Sequence, residues 1–218
     1  MKSTFRAVLL IAGAACISAT GAIAQGPHAD PAPATVYVAH LRAMNTKVTG
    51  MQTTGTARFT IRGDSLTISV DARHVPPDMQ HLQHFHGFTD GRNATCATAA
   101  ADTSHDGIVD LLETEPTSGT TMVPFTADPV SMQIVTDTYP KASADGTYHY
   151  RKNVSLSALQ AAFGKQFTGQ QLDFTDRVVY LHGVPASTRL PASVASLGTI
   201  PAQVTLPIAC GKIEVARR

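Results

Sequence analysis

Tryptophan is absent from this 218-residue chain, and Phe and Tyr bring the aromatic share to only 6%. Neither sign of charge is in excess, because 17 Lys and Arg stand against 16 Asp and Glu. That balance argues against a basic groove for nucleic acid or an attraction to anionic membrane surfaces. No G-x-S-x-G elbow occurs, so the sequence offers no hydrolase nucleophile. Internal repeats and signs of a second domain are missing too. With 43% apolar and 15% charged residues and a mean hydropathy near zero, the composition is that of an ordinary soluble globular chain. Cysteine is scarce, at three, whereas histidine is plentiful, at nine.

The first 24 residues read as a secretory signal. Lys2 and Arg6 form a positive start, residues 7–23 are small and apolar, and Ala22-Ile23-Ala24 supplies a cleavage site before Gln25. A membrane anchor fits less well, since the stretch is mostly Ala and Gly and runs directly into Gln-Gly-Pro-His. A periplasmic or secreted protein is therefore expected, cleaved after Ala24, with no membrane attachment afterwards. Removing the signal leaves two cysteines, Cys96 and Cys210, and in an oxidising compartment these most simply form one disulfide.

Residues 25–34 are a Pro- and Ala-rich leader expected to be flexible, followed by a single domain over 35–218. Segments rich in Val, Ile, Thr and Phe at 35–41, 57–62, 66–70, 82–88, 130–135, 177–181 and 204–208 read as strands. Phe59, Ile61, Leu66, Ile68 and Val70 alternate with polar residues on either side of Gly63-Asp64, which marks a half-buried hairpin. Arg62-Gly63-Asp64 is thus read as a turn, not an adhesion motif. One helix is expected, capped by Ser155 or Ser157, with Leu156, Leu159 and Phe163 on its apolar face and Gly164 at its end. Many short strands with one helix argue for an all-β fold, a single antiparallel sandwich or barrel.

The densest chemistry lies in His81-Leu82-Gln83-His84-Phe85-His86-Gly87. Side chains alternate along a strand, so His84 and His86 share one face and can converge on one metal ion. His81 and Phe85 then share the other, where His81 is expected as a buried, hydrogen-bonded residue. Three neutral imidazoles, were a third to join, would suit copper or zinc better than calcium or magnesium.

The order of motifs continues with Cys96, then Arg177-Val-Val-Tyr-Leu-His182-Gly183, then Pro207-Ile-Ala-Cys210-Gly211-Lys-Ile213. In this order the chain resembles the Cu/Zn superoxide dismutase family. The resemblance implies a Greek-key β-sandwich or barrel with the metal on its outer wall. It implies copper ligation by His84, His86 and His182, a core role for His81, and a Cys96–Cys210 disulfide. The substrate it implies is superoxide. A fourth copper-site histidine would have to be His105, a few residues later than the family pattern places it. The zinc-site run of His and Asp is missing, as in the copper-only dismutases. Where the family carries an anion-guiding Arg, this sequence has Pro207, which leaves enzymatic dismutation open. Arg177, Arg189 and Lys212 are the cations that could substitute.

A second metal motif spans residues 102–113. Asp102, Ser104, Asp106, Asp110 and Glu113 stand at positions 1, 3, 5, 9 and 12 of a twelve-residue calcium loop, with Gly107 at position 6. Calcium there would brace the chain where the family keeps its zinc loop. The main functional expectation is an exported copper-binding protein of superoxide dismutase type. The alternatives are a non-catalytic module resembling CHRD domains in its H-x-H-G segment, or a copper-sequestering protein.

Overall fold

The structure, a computed structural model, describes residues 33–217. The expected signal sequence and most of the leader lie outside the described residues. Eight strands form one antiparallel sheet: β1 (Thr35–Ala43), β2 (Thr54–Arg62), β3 (Ser65–Arg73), β4 (Gln83–Gly87), β5 (Thr120–Pro124), β6 (Thr147–Ser155), β7 (Val178–His182) and β8 (Pro207–Val215). Between them lie the helices α1 (Thr46–Thr49), α2 (Leu111–Ser118), α3 (Leu156–Gln166) and α4 (Ala202–Thr205). Across the sheet the order is β5-β4-β7-β8-β1-β2-β3-β6.

The β2–β3 hairpin forms as the alternation predicts. Ala57, Phe59, Leu66, Ile68 and Val70 turn inward, and Arg62 pairs with Ser65 across Gly63-Asp64. Gly63 takes a φ of 56°, a left-handed conformation that suits glycine in a two-residue hairpin turn. Asp64 does further work as an anchor, accepting hydrogen bonds from Ser155 Oγ and the Ser157 backbone N–H at the start of α3.

The sheet curls on itself so that its two halves share one core. Phe59 on β2 lies 5.0 Å from Phe85 on β4, ring to ring, although three strands separate them in the sheet. Phe125, just beyond β5, packs at 5.1 Å from Phe85 and closes the cluster. Side chains of the edge strand β6 reach across to the other end of the sheet: Tyr150 Oη donates to the carbonyl of Thr126, just after β5, at 2.8 Å, and Tyr148 Oη to Gln83 Oε1 on β4 at 3.1 Å. The Cys96–Cys210 disulfide is formed and joins the loop after β4 to β8. Closing so long a loop is worth about 4 to 5 kcal/mol in the chain-entropy account. Among the described residues, no helix is long and apolar enough to cross a membrane.

Four local expectations are corrected. Residues 130–135 are not a strand, because Pro129 lacks an N–H and Met132 has a φ of 57°; Ile134 and Val135 stay exposed. Residues 204–208 divide between α4 and the start of β8. Helix α3 is capped by Ser155, whose hydroxyl accepts from Ala158 N–H, but it continues through Gly164 to Gln166. Helix α2, which the sequence reading passed over, starts inside the acidic motif, with Asp110 and Glu113 forming a capping box.

Candidate metal centre

Strand β4 lies between β5 and β7, one strand from the edge of the sheet. All five of its residues are buried. Phe85 points into the shared core, which by strand alternation sends His84 and His86 to the opposite face. His182 is the last residue of β7 and donates its backbone N–H to Leu82 just before β4, at 2.8 Å. This pairing draws a residue almost a hundred positions away up to the H-x-H segment.

The rings of His84 and His86 are 4.8 Å apart, and those of His84 and His182 are 4.6 Å apart. One ring nitrogen from each of the three can be chosen so that all lie within 4.8 Å of one another. Among the described residues this is the only such grouping of His, Cys, Asp or Glu.

Hydrogen bonds fix two of the rings. His182 Nδ1–H donates to the Thr205 carbonyl at 2.7 Å, leaving Nε2 with its lone pair and no partner, fully buried. His86 Nδ1–H donates to the Gly119 carbonyl at 3.0 Å, so its Nε2 carries the lone pair as well. His84 Nδ1 is, after His182 Nε2, the second buried triad nitrogen without a partner. Buried polar atoms normally find partners, so two orphaned imidazole nitrogens beside a third lone pair form a donor set for a metal ion. Three neutral imidazoles with no carboxylate fit copper or zinc.

Burial keeps these rings neutral. It lowers the pKa of His86 to about 4 and that of His182 to about 3, with the neighbouring His86 adding to the shift at His182. His84 is lowered well below the usual histidine value by burial and then by His182 and His86. His81 precedes β4 and packs toward the core, stacked on Tyr148 at 5.8 Å. Its Nδ1 faces the His182 carbonyl at 3.0 Å and its Nε2 the Pro76 carbonyl at 2.8 Å.

The other residues singled out in the sequence fall elsewhere. His105 is exposed in the acidic loop with a φ of 59° and is not part of the histidine group. That loop is closed by its own hydrogen bonds. Asp102 accepts from the N–H groups of Asp106 and Gly107, and Glu113 accepts from those of Thr103, Ser104 and Asp110. Ser104 donates to Asp102, and the second Asp110 oxygen accepts from Ala195 N–H at 2.6 Å.

Pro207 is buried opposite His182 in the β7–β8 pairing and brings no charge there. Arg177 is buried and donates to the carbonyls of Phe88 and Gln171. Lys212 donates to Asn93 and Ala94. None of the hydrogen bonds of these two cations goes to the histidines.

Sequence reasoning missed Gly119, Thr121 and Thr205, which hold the rings of the triad. They carry no chemical signature; strand pairing brings Thr121 to the site, while Gly119 follows α2 and Thr205 ends α4. No protein-family model matches the chain, and no curated protein is similar to it.

Proposed function

We propose that the chain is an exported copper-binding protein of superoxide dismutase type. The observation that carries the reading is the pair of buried, partnerless nitrogens, His84 Nδ1 and His182 Nε2, beside the lone pair of His86. The sheet order, with β3 beside β6 and β4 beside β7 around a common core, supports a Greek-key barrel. The disulfide is compatible with an oxidising location.

Copper held there would supply one-electron chemistry, oxidising one superoxide and reducing the next. The chain's own residues provide the frame. Thr205 and Gly119 set the tautomers of His182 and His86, and His81 holds the His182 backbone. Pro207, and the engagement of Arg177 and Lys212 elsewhere, favour copper sequestration over fast turnover as the second reading, because a cation beside the metal is what draws and holds an anion. In the same reading, the loop at 102–113 takes a structural calcium ion.

The test is to load the purified chain with copper, record its paramagnetic resonance spectrum and measure superoxide decay, alongside His84→Ala and His182→Ala. A nitrogen-rich copper spectrum that both substitutions abolish is expected. Superoxide decay that depends on the same residues would establish dismutation, and a copper spectrum without turnover would establish sequestration. No specific copper spectrum would overturn the proposal and leave a non-catalytic, CHRD-like module.

A further inference from the structure

Thr121 stands directly opposite His86 in the β4–β5 pairing, and its Oγ1 lies 3.3 Å from His86 Nε2. The direction of that bond follows from the other side of the ring. His86 Nδ1 faces a backbone carbonyl, which can only accept, so Nδ1 carries the proton and Nε2 must accept from the Thr121 hydroxyl. Of the three lone pairs that make up the donor set, this one alone is already occupied by a protein group; His84 Nδ1 and His182 Nε2 have no partner. Thr121 is also half-buried, whereas the three histidines are almost fully enclosed.

We infer that Thr121 is a positioning residue that guards His86 Nε2 in the metal-free protein and, once a metal takes that nitrogen, turns its hydroxyl to a small anion binding beside the metal. The inference rests on the copper reading above. When Nε2 gives its lone pair to a metal, the Thr121 O–H loses its acceptor. A partly buried donor left without one is costly, and three protein ligands leave room on the ion for an exogenous anion that can accept it. The chain would in this way supply, from a neutral hydroxyl on β5, an anion contact at a site where Pro207 supplies none. The substrate class it fits is a small monovalent anion able to accept a hydrogen bond.

Thr121→Val removes the hydroxyl at constant volume, and Thr121→Ser restores it. Copper affinity is measured by titration against a competing chelator, and anion affinity by the absorption band that azide produces on copper. Thr121→Val is expected to bind copper about fivefold more tightly, the equivalent of one ordinary hydrogen bond no longer broken on loading. It is expected to bind azide about tenfold more weakly, as for a lost charge-assisted hydrogen bond, with Thr121→Ser close to the wild type in both. Copper binding by all three proteins with unchanged azide affinity in Thr121→Val would overturn this inference and leave the copper reading intact. Failure of the wild type to bind copper would overturn both.

Discussion

His81 Nδ1 lies 3.0 Å from the carbonyl oxygen of His182, so a histidine that takes no part in the metal triad holds the backbone of one that does. Its Nε2 reaches the Pro76 carbonyl at 2.8 Å, and the ring thereby ties the segment before β4 to the end of β7. Both partners can only accept. A neutral ring satisfies one of them and an imidazolium both, while burial, the larger influence, lowers the pKa of His81.

Replacing His81 by Ala is expected to cost about 3 kcal/mol or more, from a cavity at a fully buried position together with the loss of the ring's N–H donor to a buried carbonyl. A urea titration reads the loss. Copper affinity should fall with it, since the His182 backbone loses its tether. A variant as stable as the wild type would refute both contributions.

Acid should destabilise the metal-free protein well above the pH at which carboxylates titrate. The folded-state pKa values of His86 and His182 lie near 4 and 3, below the ordinary 6.5 of an unfolded chain. As pH falls below about 6.5 the unfolded state takes up protons that the folded state refuses. Stability is then lost at about 1.4 kcal/mol per pH unit for each such ring. The loss at His86 continues down to about pH 4 and that at His182 to about pH 3. Denaturant midpoints that stay level between pH 7 and pH 5 would contradict the burial of the triad.

Gly119 and Gly63 both have positive φ, yet they should respond very differently to alanine. A Cβ on Gly119 would run into the Gly87 carbonyl, backbone against backbone, where β5 meets β4. A Cβ on Gly63 would meet nothing within 4 Å. Gly63→Ala is expected to cost about 1 kcal/mol for its left-handed conformation alone. Gly119→Ala must push β5 away from β4 and carry off the carbonyl that holds His86, lowering both the melting temperature and copper affinity. Equal melting temperatures for the two variants would refute this account.

Millimolar calcium is expected to raise the melting temperature by several degrees, the size of shift a ligand well above its dissociation constant gives in a domain of this length. Glu113→Gln removes the charge at position 12 and leaves one acceptor oxygen where the carboxylate uses two, one for the Thr103 and Ser104 N–H groups and the other for that of Asp110. The calcium effect should disappear in that variant, and its stability without calcium should fall by about 1 to 2 kcal/mol for the hydrogen bonds lost. A thermal shift that persists in Glu113→Gln, or none in the wild type, would assign the loop to its own hydrogen bonds.

What the sequence made legible was what depends on short periods. Alternation by two placed Phe85 inside, sent His84 and His86 to the opposite face, and set out the Gly63-Asp64 hairpin. Chain order, through the resemblance, singled out His182. The rest was hidden by residues with two uses. Asp110 and Glu113 read as cation ligands, while in the fold they cap α2. Strand β6 carries His149, Arg151 and Asn153 between its inward residues and looks polar, although Tyr148 and Tyr150 reach across to Gln83 and Thr126. Strand β5 is five residues ending in Pro124, too short to stand out, yet it brings Thr121 to the site. Residues 130–135 have strand composition but no strand partner.

Strand β5 is hydrogen-bonded to a neighbour on one side only, and β4, which it covers, carries two of the three histidines. A strand with one bonded flank opens at lower cost than one with two. Of the two edge strands, β5 with five residues is shorter than β6 with nine, and it is the one in contact with His86, through Thr121 and the preceding Gly119. On the copper reading, a change along β5 is therefore expected to act on the rate of metal release more than on the stability of the fold.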